Sequence, residues 1–194
     1  MEAARARVDA GAQSIQGRVL WWWAATVISF PIAGVLARVI VGPISAVWTA
    51  ILAGAIAGVV IGSAQWVALR VIGVSPLWIA ATAVGFAVGL GLAVGMFGYG
   101  TSVGDLAILG ALSGLGIGTA QWFLLRGVTE VSTAWIPGTA LFWALGWIVT
   151  TSIGVDAEAH WAVFGLSGAA AAVLLSGALL WLLRRPEPHA RASG

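Results

Sequence analysis

Between Arg38 and Arg70 not one side chain is charged, and the same holds from Arg70 to Asp105, from Asp105 to Arg126 and from Glu130 to Asp156. A further uncharged run extends from Trp161 to Leu183. About 20 apolar residues suffice for a helix to cross a hydrocarbon core of about 30 Å. A chain built this way has a lipid bilayer as its first partner. The composition agrees: 60% of the 194 residues are hydrophobic and 8% are charged, against about 25% charged in an ordinary soluble domain. So few charges cannot clothe a water-facing surface. The chain has no Cys, which removes disulfides, thiolate catalysis and Cys-based metal sites. A net charge of +2 is too small for a nucleic-acid footprint, so no nucleic-acid partner is expected.

The runs divide into six expected spans, at roughly 19–41, 45–70, 76–99, 103–126, 134–154 and 159–184. Gly42-Pro43 opens the second, and Ser75-Pro76 reads as an N-cap with Pro in the first turn of the third. Ser102 with Asp105 has the spacing of a capping box for the fourth. Pro137 falls in the first turn of the fifth, whereas Pro31 lies inside the first and is expected to kink it. Period-two alternation is absent from these runs, which argues against a membrane barrel. The first run is too long for a secretory h-region and lacks a convincing cleavage motif, so it is read as a span.

Arginine sets the expected orientation. Arg5, Arg7, Arg18, Arg70, Arg126, Arg184, Arg185 and Arg191 fall on the side of the N-terminus, and Arg38 alone falls on the other. By the positive-inside rule both termini are cytoplasmic, in the inner membrane of a bacterium.

The chain repeats itself. GAIAGVVIGSAQWVALR at 54–70 matches GALSGLGIGTAQWFLLR at 110–126, an offset of 56, and the same offset lays WWAATVISF at 22–30 on WIAATAVGF at 78–86. WIPGTALFW at 135–143 follows with one residue inserted, and GALLWLLRR at 177–185 falls on 118–126 with Leu180 in place of Gln. The expected organisation is therefore an arm at 1–18, hairpins at 19–74, 75–131 and 132–185, and a tail at 186–194. The expected fold class is an all-α membrane protein. Its six transmembrane helices form three tandem parallel two-helix repeats, arranged as a pseudo-threefold bundle about an axis normal to the membrane.

Within each repeat the chemistry is sparse. Gly54, Gly58 and Gly62, and again Gly110, Gly114 and Gly118, form stripes that let helix backbones approach. Gln65 and Gln121 fall on the same faces, seven residues beyond a stripe glycine. They lie at a depth similar to Thr26, Thr82 and Thr139, which stand four residues after the Trp that opens each odd span. Each Gln is expected to bond to Thr or backbone of a neighbouring odd helix, leaving the seam at Leu180 dry. The same Gln and Thr residues are also candidates for holding a ligand headgroup. Trp66 with Arg70, Trp122 with Arg126, and Trp181 with Arg185 are spaced as interface anchors, a ring beside a snorkelling guanidinium. Arg38 stands four residues before Gly42 and is expected to snorkel to the opposite interface, with Asp105, Asp156 or Glu158 as partners. Trp143 and Trp147, with Trp161, could stack on a flat hydrophobic ligand such as a carotenoid, sterol or tetrapyrrole, or pack as plain aromatics. Asp156, Glu158 and His160 in the last outer loop make a weak set for metal ligation, helix capping by Asp156 and simple solvation are expected instead, and no cofactor is expected.

The pattern GxxxGxxQWxxxR at 58–70 and 114–126 resembles that of bacterial multi-pass membrane proteins of unassigned function. The resemblance implies a membrane fold and no activity. The Trp content is similar to that of the tryptophan-rich sensory proteins, which bind porphyrins with five helices, but the six expected spans and the 56-residue offset depart from them. No Ser-His-Asp order, HExxH, P-loop or paired intramembrane acids can be assembled. The expected function is non-enzymatic, an accessory or scaffold subunit that joins other membrane subunits. The alternatives are a carrier of small solutes or lipid-like molecules, and a membrane protein that binds a pigment, lipid or other hydrophobic ligand.

Overall fold

A computed structural model describes residues 2–70, 73–126 and 133–157. They form five helices, α1 Glu2–Val41, α2 Val47–Leu69, α3 Leu77–Phe97, α4 Val103–Leu125 and α5 Trp135–Ser152, joined by short turns. Four segments are long and apolar enough to cross a bilayer: Leu20–Val41 of α1, and all of α2, α3 and α4. The chain is thus a multi-pass membrane protein by the length and apolarity of its helices.

This corrects the expectation of six transmembrane helices in a pseudo-threefold bundle. The run at 134–154 does form a helix, but α5 has 18 residues, at the short end of the roughly 17–25 that span a bilayer. Three Trp, three Thr and a Ser within it also lower its apolarity below that of the other four. The last expected span, 159–184, lies outside the described residues, so two hairpins and a fifth helix stand where three hairpins were expected. The first helix also differs: the arm and the span are one continuous helix from Glu2, with Pro31 inside it. Proline leaves the Val27 carbonyl without its usual donor.

The helix ends follow local chemistry. Ser102 and Asp105 form the expected capping box: the Ser102 hydroxyl accepts from the Asp105 amide at 3.2 Å, and the Asp105 carboxylate accepts from the Ser102 amide at 3.3 Å. At α2 the cap is Thr49, whose hydroxyl oxygen accepts from the amides of Ser45 and Ala46 at 3.1 and 3.0 Å. Helices α1 and α3 end at glycines in the left-handed region, Gly42 (φ 83°) and Gly98 (φ 77°), where an L side chain would be strained.

Neighbours in sequence are neighbours in space, α1 on α2, α2 on α3, α3 on α4 and α4 on α5. Small residues share the interior with a few large ones: Ala33, Ala50 and Ala93 have no exposed surface at all, and Trp22, Ile61, Trp78 and Phe86 are buried beside them. Many other large apolar side chains are exposed, among them Ile28, Val39, Val84, Leu92, Met96 and Leu141. That distribution suits a lipid solvent, in which close backbone packing rather than exclusion of oil from water holds helices together.

The glycines sit at the closest approaches. A Cβ on Gly58 would lie 2.5 Å from the Cα of Ala83 on α3, and one on Gly114 would lie 2.8 Å from the Cα of Ala140 on α5. Gly54 and Gly62 flank the first contact, Gly110 and Gly118 the second. The α3–α4 seam is closed by glycines as well, with Gly85 and Gly89 facing Gly116, Leu112 and Ser113.

Candidate functional site

Two places in the bundle hold the chemistry, one towards each end. The first lies where α3, α5 and the apolar segment Leu20–Val41 of α1 begin and α2 and α4 finish. Thr26, Thr82 and Thr139 are buried there. Each hydroxyl donates to the carbonyl one turn back, to Trp22, Trp78 and Trp135 at 2.7, 2.8 and 2.7 Å. Gln65 and Gln121 are buried beside them. The Gln121 amide nitrogen donates to the Thr82 hydroxyl at 3.1 Å and to the Gln65 carbonyl oxygen at 3.3 Å. The same Gln65 oxygen accepts from the Trp78 indole N–H at 3.1 Å. Both amides thus reach α3, but Gln65 does so through an indole rather than a Thr or the backbone, and the two amides meet each other. An amide in hydrocarbon without partners loses several kcal/mol, so this knot ties α2 and α4 to α3. The seam at Leu180 lies outside the described residues.

The other two openings are placed differently. Trp22 and Trp135 stand where Trp78 stands in α3, yet their buried indole N–H groups find no acceptor among the described residues. Gln121 to Trp135 is one residue longer in sequence than Gln65 to Trp78, and Gln121 turns to Thr82 instead. Nearer the helix ends, the Arg126 guanidinium carbon lies 5.2 Å from the Trp122 ring centre and 4.8 Å from that of Phe123. Arg70 lies 6.0 Å from the Trp66 ring, at the edge of cation–π range. The Trp66 indole donates to the Val74 carbonyl at 3.1 Å. Trp181 and Arg185 lie outside the described residues.

The second place is a cavity of about 360 Å³ at the opposite end. Arg38, Pro43 and Tyr99 line it near the helix ends, and Ala57, Phe86 and Ser113 line it near mid-bundle. Trp143 and Trp147 both border it. Trp143 is held by ring contacts from two other helices, its centroid 5.3 Å from Phe30 of α1 and 5.0 Å from Phe86 of α3. Arg38 is the one charged residue among the described residues that line the cavity. Gln65, Gln121 and the three Thr are not part of this lining.

The sequence pointed to Trp143 and Trp147 as a pair but not to their companions. Tyr99 and Ser113 carry no repeat signal, and Arg38 reads from sequence as a snorkelling anchor. Among the described residues no group of three or more His, Cys, Asp or Glu could hold a metal ion. Glu158, His160 and Trp161 lie outside them. No family model matches the chain, nor does any curated protein or solved structure.

Proposed function

We propose that the chain is a non-enzymatic protein of a bacterial inner membrane that binds a hydrophobic small molecule between its helices. The observation that carries this reading is the cavity bordered by Trp143 and Trp147. Its volume is near the lower end of the roughly 300–1,000 Å³ typical of ligand pockets, and an apolar wall with few polar groups is typical too. It holds one flat ring system or one short chain rather than a two-chain lipid. The lining stays in one half of the bundle, and the hydrogen-bonded Gln–Thr–Trp knot occupies the other half. A one-ended pocket suits a binder better than a conduit. With the termini cytoplasmic, as the Arg bias argues, the pocket belongs to the outer half of the membrane and the knot to the inner. The contacts at Gly58 and Gly114, met at nearly the same offset as the sequence matches, support reading the chain as tandem hairpins on glycine stripes.

Purification from the native membrane in mild detergent tests this. Solvent extraction of the purified protein is expected to release one apolar small molecule in near-stoichiometric amount, and Ala57→Leu, which fills the cavity, is expected to come without it. A preparation free of any such molecule but holding a stoichiometric membrane subunit would overturn this reading in favour of the scaffold one.

A further inference from the structure

The cavity wall carries one hydroxyl that the helices leave unused, and the ligand inferred from it rests on the binding function proposed above. Seven Ser and Thr side chains are buried among the described residues. Six of them donate to a backbone carbonyl three or four residues back, at 2.7–2.8 Å. The seventh, Ser113, is 2% exposed and has no hydrogen-bond partner among the described residues. Unlike the sealed indole N–H groups of Trp22 and Trp135, it stands in the wall of a cavity. Leu106 and Leu109 line the same wall, on the face of α4 that Ser113 shares at three- and four-residue spacing. At the 56-residue offset Ser113 answers to Ala57, which lines the cavity from α2. The two copies of the repeat thus differ by one hydroxyl in the cavity wall.

We infer that the cavity takes a neutral, flat, largely hydrocarbon ring system bearing a ketone-type carbonyl, whose oxygen accepts from the Ser113 hydroxyl. A buried O–H without an acceptor costs free energy that a carbonyl recovers. The lining near mid-bundle is otherwise apolar or aromatic, with Ala57, Phe86, Leu109 and Trp143. Such rings suit a flat partner, and one hydroxyl does not offset an ion in hydrocarbon. A ligand hydroxyl is the poorer match. Whichever of two hydroxyls donates, the proton of the other stays unpaired, and the indoles of Trp143 and Trp147 are donors that accept nothing. A carbonyl accepts the Ser113 proton and leaves none over.

The test uses the intact protein in phosphatidylcholine nanodiscs, with three tricyclic probes of one shape: 9-fluorenone, 9-fluorenol and fluorene. Equilibrium dialysis against nanodiscs without protein gives the excess bound, which refers each affinity to the bilayer. Fluorenone is expected to bind about fivefold tighter than fluorene, with fluorenol gaining less than fluorenone. The carbonyl stretching band of bound fluorenone should lie at lower wavenumber than in a hydrocarbon solvent. Ser113→Ala, which gives α4 the residue α2 carries at Ala57, should lower fluorenone to the affinity of fluorene and return the band to its hydrocarbon position. Fluorene itself should bind this variant as before, which shows the cavity intact. If fluorenone and fluorene bind alike, if fluorenol binds tightest, or if the preference survives Ser113→Ala, the carbonyl anchor is wrong. The cavity's function still stands in those cases when Ala57→Leu abolishes the binding. If no probe binds in excess of empty nanodiscs, or Ala57→Leu changes nothing, both the anchor and the cavity's function fall.

Discussion

At the scale of single residues, the most informative contrast is between Trp78 and Trp135. They occupy matching places at the start of two helices and both are buried, at 1% and 5% exposure. Trp78 has Gln65 as its acceptor, whereas the Trp135 indole N–H has none among the described residues. Removing the first donor leaves a buried amide oxygen one bond short. Removing the second takes away an unpaired group and loses only ring volume. Trp78→Phe should therefore destabilise more than Trp135→Phe, by about 1 kcal/mol; equal shifts in thermal unfolding in detergent would show that the knot contributes nothing. Gln65 and Gln121 offer a second check. A double-mutant cycle with Leu at both positions should return a coupling of about 0.5–1.5 kcal/mol, and strict additivity would dissolve the amide–amide bond. The depth match of the Gln and Thr residues could be read from spacing on an ideal helix, because rise and periodicity are fixed by the backbone. Which Gln meets which Thr could not, because an amide with several donors and acceptors within reach chooses by interhelical geometry.

At the scale of helices, the seams turn on what a single added carbon would meet. Gly58 faces backbone, where an added Cβ would lie 2.5 Å from the Cα of Ala83, whereas one on Gly95 of α3 would meet only the Val47 methyl at 3.6 Å. Backbone cannot step aside without moving a helix. Gly58→Ala should cost about 1–3 kcal/mol. Gly95→Ala should be neutral or gain up to about 1 kcal/mol, since a Gly within a helix, here in the last turn of α3, is entropically costly. Unfolding followed by far-UV circular dichroism separates the two, and equal destabilisation by both would contradict the seam described. The stripes at Gly58 and Gly114 follow from four-residue spacing. The third seam, Gly85 and Gly89 against Gly116, carries the same spacing signal within α3. Spacing does not name the partner, however, and this contact joins one hairpin to the next rather than closing a hairpin on itself.

At the scale of the whole molecule, the cavity bordered by Trp143 and Trp147 is a space that no single helix defines. Filling it with Ala57→Leu should leave the fold in place and abolish the rise in thermal midpoint expected when the apolar molecule extracted from the native protein is added back. Ligand-linked stability needs only that the native state binds and the unfolded state does not. A midpoint rise that survives the substitution would place the ligand elsewhere.

Some of this was determined by the sequence alone. Uncharged runs of bilayer length dictate helices, because a backbone in lipid must satisfy its own hydrogen bonds, and the glycine stripes at 54–62 and 110–118 permit close seams. The capping box at Ser102 and Asp105 is equally local, which is why it was legible. Only the tertiary structure decided that the fifth helix is the short one and that the two Gln amides share one knot. It also brought Arg38, Tyr99, Ser113 and Trp143, from four different helices and turns, around a common cavity. The reason is physical: in lipid the apolar faces of a helix are nearly interchangeable, so composition tells which segments are buried in the membrane, while van der Waals fit between backbones selects which faces meet.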